Sequence, residues 1–261
     1  MEVDAEVTFY EYGKENEKTL LLIHASAVMW DSFSEVIPLL EKEFHLVVPA
    51  LPGFDENNPK EDFTSIEDIA DKIEEWFIKQ DIHSVYGIYG LSMGGAVVIR
   101  LLANNRIKFS KVIIDAGITP YQLPRAVTRV IALKDFLTME IGKHMSPKMM
   151  AKMFSSTDYS IEDLEYAHKV LNFNSAKTLW NTFDSCNNYS MPKQNVISDA
   201  DVVYWYGEKE KKARRLDLLY VKEHIPNIKF HKIPDMDHGD FLFFHPVEFS
   251  TQLIKMLEET F

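Results

Sequence analysis

Ser84-Val-Tyr-Gly-Ile-Tyr-Gly90-Leu91-Ser92-Met93-Gly94-Gly95, continuing as Ala-Val-Val-Ile-Arg-Leu-Leu-Ala-Asn-Asn105, is the stretch that decides the fold. Its first half is a short apolar run rich in β-formers (Val85, Tyr86, Ile88, Tyr89), which predicts a buried strand. The stretch from Ala96 to Asn105 has helix-forming composition and apolar residues at helical spacing. Between them lies Gly-x-Ser-x-Gly-Gly, a turn so tight that bulky side chains beside the serine would collide with the strand and the helix. Gly90 and Gly94 remove that collision and leave Ser92 projecting from a strained corner at the helix N-terminus. There the hydroxyl is exposed, and the positive end of the helix dipole favours developing negative charge. Four of the ten glycines in the chain fall between Gly87 and Gly95, so the clustering is poorly explained by chance.

Two other readings compete. In a dinucleotide loop, Gly-x-Gly-x-x-Gly, Gly90 and Gly95 would fit, but Ser92 stands where the middle glycine must let the pyrophosphate approach the backbone. Asp115, at the end of the next predicted strand, would suit a ribose contact in that case. The third reading is a structural turn with an incidental serine. The strand–turn–helix context favours the first, a nucleophile elbow.

Composition bounds the rest. A chain of 261 residues with 46% hydrophobic and 26% charged residues fits one large α/β domain carrying an insertion. The net charge of −12 repels phosphate backbones and anionic headgroups, so neither a nucleic-acid nor a membrane partner is expected. The N-terminal Met-Glu-Val-Asp-Ala-Glu lacks the basic-then-apolar pattern of a signal peptide. A lone cysteine, Cys186, excludes an internal disulfide and suits a reducing cytoplasm.

Along the chain, predicted strands and helices alternate. Val7–Tyr12 reads as an edge strand, Thr19–His24 as a continuous apolar strand, Trp30–Glu43 as an amphipathic helix and His45–Pro49 as a strand. Ser65–Lys79 is a helix opened by the capping sequence Thr64-Ser65-Ile-Glu-Asp68, and Lys111–Asp115 is a strand. Val202–Tyr206, Lys211–His224, Ile228–Ile233 and Pro246–Glu259 complete a strand–helix–strand–helix series. The pattern predicts a mostly parallel central sheet flanked by helices on both faces. Residues from about 119 to 198 lack a convincing strand and read as a helical cap inserted between two strands. The expected organisation is a core of 1–118 and 199–261 with a cap of 119–198.

The sheet, the elbow and the insertion together resemble the α/β-hydrolase family. Leu21-Leu22-Ile23-His24-Ala25-Ser26-Ala27-Val28-Met29-Trp30 is similar to the family's strand followed by His-Gly-x and a downstream tryptophan. Pro49-Ala50-Leu51-Pro52-Gly53-Phe54-Asp55 is similar to its Pro-Asp-Leu-Pro-Gly-x-Gly segment. Ile233-Pro234-Asp235-Met236-Asp237-His238-Gly239, followed by His245-Pro246, is similar to its histidine loop and closing helix.

The resemblance implies a serine hydrolase acting on a small-molecule ester, with no cofactor or metal, as a monomer or homodimer. Serine at the elbow speaks against dehalogenase and epoxide hydrolase chemistry, where the family places aspartate. Thioesterase, carbon–carbon bond hydrolase, cofactor-free perhydrolase and acyltransferase activities stay open, as does a non-catalytic receptor on the same fold.

A serine hydroxyl needs an imidazole to accept its proton. Of nine histidines, His238 follows the last predicted strand in a polar, Gly-containing loop and satisfies the family order serine, acid, histidine. His24 precedes the elbow and is expected beneath the oxyanion loop; His245 reads as a helix cap and His231 as a strand residue. His231, His238 and His245 lack the spacing of a zinc motif. By resemblance the acid lies in a Gly-x-x-Asp pattern, which here reads Gly207-Glu208-Lys209-Glu210 and points to Glu210. Asp115 is the rival, because some family members take the acid from the strand after the elbow; Glu208 is the third candidate. The oxyanion requires two N–H donors. Met93, immediately after the nucleophile, is one; Ser26 is the other by alignment, with Ala25 standing where the family has glycine. In the cap, Met139, Met145, Met149, Met150 and Met153, with Phe136, Phe154, Phe173, Trp180 and Phe183, are expected mostly to pack the insertion, a few lining a pocket.

Overall fold

The computed structural model describes residues 6–120, 123–146, 149, 160–191, 196 and 198–259. Strands β1 (Thr8–Tyr12), β2 (Thr19–Ile23), β3 (His45–Ala50), β4 (Ser84–Leu91), β5 (Lys108–Asp115), β6 (Asp201–Gly207) and β7 (Lys229–Ile233) form one sheet. Their order is β1-β3-β2-β4-β5-β6-β7. Only β1 is antiparallel, running Thr8↔Ala50 to Tyr12↔Leu46 against β3; the other five pairings are parallel.

The continuous apolar runs follow from burial on both faces. Side chains alternate across a strand. Leu21 and Ile23 therefore join Ile88, Val112 and Tyr204 on one side, while Leu20 and Leu22 join Tyr89, Ile113 and Trp205 on the other. The first side is covered by α2 (Ile66–Lys79) and α3 (Met93–Asn104); the second by α1 (Ile37–Leu40) and, through Phe249, Leu253 and Leu257, by the C-terminal helix Pro246–Glu258. In α2, Ile66, Ile69, Ala70, Ile73 and Phe77 share a buried face, and Ser65 Oγ accepts the Asp68 N–H at 3.1 Å, capping the helix as its sequence predicts.

Trp30–Glu43 does not form one helix. Trp30–Phe33 is a 3-10 turn and α1 follows separately. Pro38 is the reason: it has no N–H to give the Ser34 carbonyl, and its ring would collide with that carbonyl in a continuous helix. Between β5 and β6 the described residues form α4 (Arg125–Gly142), α5 (Ile161–Phe173) and α6 (Ala176–Asn188). Asn174 and α6 are joined to the segment after β3 by side chain–backbone hydrogen bonds. Asn174 Nδ2 donates to the Gly53 carbonyl (2.6 Å) and Asn181 Nδ2 to the Phe63 carbonyl (2.7 Å). Thr178 Oγ1 accepts from Phe63 N–H (3.1 Å) and Ser185 Oγ from Ile66 N–H (2.8 Å). Helix α4 packs on α6, with Phe136 edge-to-face on Trp180 at 5.8 Å.

After β6, the helix expected over Lys211–His224 starts at Arg215 as α7 (Arg215–His224). The preceding residues are used in turns, Arg214 N–H bonding the Glu210 carbonyl at 3.0 Å. A one-turn helix, α8 (Asp240–Phe244), precedes α9 (Pro246–Glu258) and was not legible in the run Phe241–Phe244. No helix among the described residues is long and apolar enough to cross a membrane.

Candidate active site

Ser92 sits between β4 and α3 with φ 55 and ψ −110 and is 5% exposed. A non-glycine residue in this region carries roughly 1–3 kcal/mol of strain, tolerated only where the surroundings fix it. They do so here. Ser92 N–H bonds the Asp115 carbonyl (2.8 Å), and the Ser92 carbonyl accepts from Ala96 (3.1 Å) and Ile118 (3.2 Å). The flanking glycines are sterically required: a Cβ on Gly94 would lie 2.3 Å from the Ile23 carbonyl oxygen, and one on Gly90 2.4 Å from that of Gly94. Among the described residues no hydrogen bond ends on Ser92 Oγ, which leaves the hydroxyl uncommitted.

The ends of β6 and β7 bring Glu210 and His238 together. His238 Nδ1 is 2.8 Å from Glu210 Oε2, while Glu210 Oε1 accepts the Gly207 N–H at 3.0 Å. Glu210 is buried, its side chain 4% exposed, whereas the imidazole is 41% exposed. Carboxylate oxygens only accept, so Nδ1 carries a proton and, in the neutral ring, Nε2 is the free base. The His238 loop is held by Asp237 Oδ1 accepting from His238 N–H (2.9 Å) and Asp240 Oδ2 from Asp237 N–H (2.8 Å). It packs on the serine corner, where a Cβ on Gly239 would touch Leu91 Cδ2 at 3.6 Å. Arg214 Nε lies 3.6 Å from Glu210 Oε2.

The two rival carboxylates are occupied elsewhere. Asp115 is buried at the end of β5, where Tyr89 OH donates to its Oδ2 at 2.6 Å. Burial pushes its pKa up to about 6, with the Tyr89 hydrogen bond opposing the rise, the nearby Glu210 charge adding to it and the electrostatic influence of His238 opposing it. Glu208 points outward and pairs with Lys232. Tyr89, which fixes the direction of Asp115, carries no signal in the sequence beyond its place in an apolar strand.

Met93 opens α3, so its N–H has no partner within the helix and faces out from the positive helix end. Ser26 lies in the loop after β2, and among the described residues neither amide is spent in a hydrogen bond. His24 is fully buried beneath that loop, and burial pulls its pKa down to about 4, leaving the ring neutral. Its Nδ1–H donates to the Ala25 carbonyl at 2.8 Å and its Nε2 accepts from Leu51 N–H at 3.4 Å, so both nitrogens are used structurally. Trp30 stacks on Tyr10 at 3.9 Å.

His231 lies in β7 with its ring 5.6 Å from Trp205, and His245 stands at the N-terminus of α9. Of the insertion's methionines and aromatics, Phe136, Met139 and Met145 pack on Leu171 and Leu179, and Phe173 on the main core. Met149 is exposed, while Met150, Met153 and Phe154 lie outside the described residues.

Residues 20–252 match the sequence profile of the alpha/beta hydrolase family. No curated protein matches the chain. Among solved structures, an alpha/beta hydrolase family protein from Desulfitobacterium hafniense is similar, with TM-score 0.75, 21% identity, and 96% of this chain and 100% of that one covered. An esterase from Exiguobacterium antarcticum has TM-score 0.72, 17% identity, and coverage of 97% and 96%. A bromoperoxidase from Bacillus anthracis has TM-score 0.73, 16% identity, and coverage of 98% and 96%. At these identities the likeness is one of fold.

Proposed function

Because the chain belongs to the alpha/beta hydrolase family, we propose that it is a serine hydrolase cleaving a small, largely apolar carboxylic ester. The observation that carries this reading is the Glu210–His238 hydrogen bond, formed at the strand ends beside the strained Ser92 corner. As Ser92 Oγ attacks the ester carbonyl, His238 Nε2 takes its proton, and the carbonyl oxygen becomes an oxyanion facing the Met93 and Ser26 N–H groups. Collapse breaks the ester C–O bond, and the alcohol leaves with the proton held by His238. Water, deprotonated by the same imidazole, then hydrolyses the acyl-enzyme. Glu210 holds Nδ1–H so that Nε2 is the basic nitrogen, and its charge stabilises the imidazolium. The reading needs no metal or cofactor. The helices between β5 and β6 serve as a cap over the strand ends, and the single buried cysteine suits a cytoplasmic location.

A fluorophosphonate probe tests the nucleophile. Ser92 should be labelled rapidly and stoichiometrically, whereas a receptor of the same fold would resist the reagent. A panel of aryl esters of increasing acyl length beside matched acyl thioesters reads the substrate class: preference for short esters supports the assignment, and preference for thioesters moves it to a thioesterase on the same residues. The base gives a second expectation. On acidification over about pH 8 to 5, where imidazoles gain their proton, kcat/KM should fall. A flat profile across that interval would remove a histidine base from the acylation step.

A further inference from the structure

The loop that presents Ser26 is held at one end by a residue of the insertion. Tyr166, on α5, donates its hydroxyl proton to Asp31 Oδ1 at 2.5 Å and accepts from Met29 N–H at 3.1 Å. One hydroxyl thus spends both of its roles on two points of a single segment, reached across a sequence separation of 137 and 135 residues. On the near side the segment is fixed by His24 through the Ala25 carbonyl. Among the described residues no hydrogen bond ends on the N–H of Ser26 or Ala27, and Ala27 takes a left-handed φ of 62. The stretch 26–27 therefore hangs between the histidine clamp and the tyrosine clamp. An amide in such a stretch keeps its direction only while both clamps hold.

We propose that Tyr166 is a positioning residue: its hydroxyl holds the Met29–Asp31 turn so that the Ser26 N–H stays aimed at the oxyanion. The proposal rests on the serine hydrolase reading and adds to it a dependence of the oxyanion donors on the docked state of α5. The other described polar link from α5 to the core outside this turn is the Lys169–Glu56 ion pair, 2.7 Å long. It is exposed at both ends (60% and 45%); Lys169 feels the Asp31 charge through space but makes no hydrogen bond to the turn among the described residues. Exposed pairs contribute little to stability, so it serves as the internal control.

Tyr166→Phe keeps the ring and removes both hydrogen bonds. With a short-chain aryl ester, kcat should fall about 10- to 100-fold, the effect of a donor displaced by a fraction of an ångström. KM should stay within about twofold, because the donor is engaged mainly in the transition state. The pH midpoint should not move, since Glu210 and His238 are untouched. Asp31→Ala should reproduce the loss; Asp31→Asn, which keeps the acceptor oxygen, should restore most of the rate; Lys169→Ala should behave as wild type. A folded Tyr166→Phe with wild-type kcat overturns the proposal, as does a rise in KM at constant kcat. An equal loss in Lys169→Ala also overturns it, by pointing to general docking of the insertion. If Tyr166→Phe fails to fold, Asp31→Ala decides by the same criteria. Failure of the underlying reading is seen separately, in a wild-type protein that neither hydrolyses esters nor takes the fluorophosphonate label.

Discussion

Ser92→Ala is expected to lower ester turnover by at least about 10³-fold, the scale of losing a nucleophile from a triad. The fold should survive. Alanine keeps the Cβ, so the strain of φ 55 is unchanged, and no hydrogen bond among described residues is orphaned when Oγ is removed. Thermal denaturation should therefore shift little while the fluorophosphonate label disappears. Near-normal turnover in a folded Ser92→Ala protein would end the serine mechanism and turn attention to another nucleophile.

The second large effect separates the carboxylates. Glu210→Gln should reduce kcat by roughly 10²- to 10⁴-fold with little change in KM. The carboxylate has two donors to satisfy, Gly207 N–H and His238 Nδ1–H. A glutamine offers one oxygen and one amino group. If the oxygen stays on Gly207, the amino group faces Nδ1 and forces the imidazole into the tautomer whose Nε2 carries the proton. That ring cannot accept from Ser92. Asp115→Asn should leave kcat close to wild type, because its oxygen can still accept from Tyr89 OH. The opposite ranking would move the acid to the end of β5.

Asp115→Asn also carries a stability signature. A carboxyl raised from 3.8 to about 6 in the folded state holds its proton longer than in the unfolded chain, so wild-type stability declines as pH rises between those values. The asparagine variant lacks this decline. Its stability relative to wild type should improve through that window by up to about 3 kcal/mol, whatever constant offset the buried amide introduces. Urea titrations at pH 4 and 7, roughly the ends of the window, would measure it; a difference independent of pH would mean Asp115 ionises freely.

What could be read from the sequence was what short-range geometry dictates. Gly90, Ser92 and Gly94 specify their turn within five positions, and the apolar runs of β2 and β4 need two covered faces, so the fold followed. The His238 and Glu210 loops were legible as loops, but their pairing is a property of how β6 and β7 sit side by side. Choosing among Glu210, Asp115 and Glu208 depends on which donor each carboxylate meets, and Tyr89 and Lys232 gave no sign of that. Over Trp30–Glu43 the apolar periodicity suggests one helix, and Pro38 overrides it. The Tyr166–Asp31 contact had no sequence signal at all, since it rests on the angle at which an inserted helix lies.

The hydrogen bonds from Asn174, Thr178, Asn181 and Ser185 bear on how such a chain can be recombined. They satisfy backbone groups of Gly53, Phe63 and Ile66, which belong to the core rather than to the insertion. Excising the insertion, or exchanging it for a relative's, would strand those groups at about 1–3 kcal/mol for each one left buried, against a total stability on the order of 5–15 kcal/mol. A successful chimera must therefore transplant the stretch after β3 together with α6, although more than a hundred residues separate them. The natural crossover unit in this protein is a pair of distant segments, and a library cut at the insertion's own boundaries should yield mostly unfolded chains.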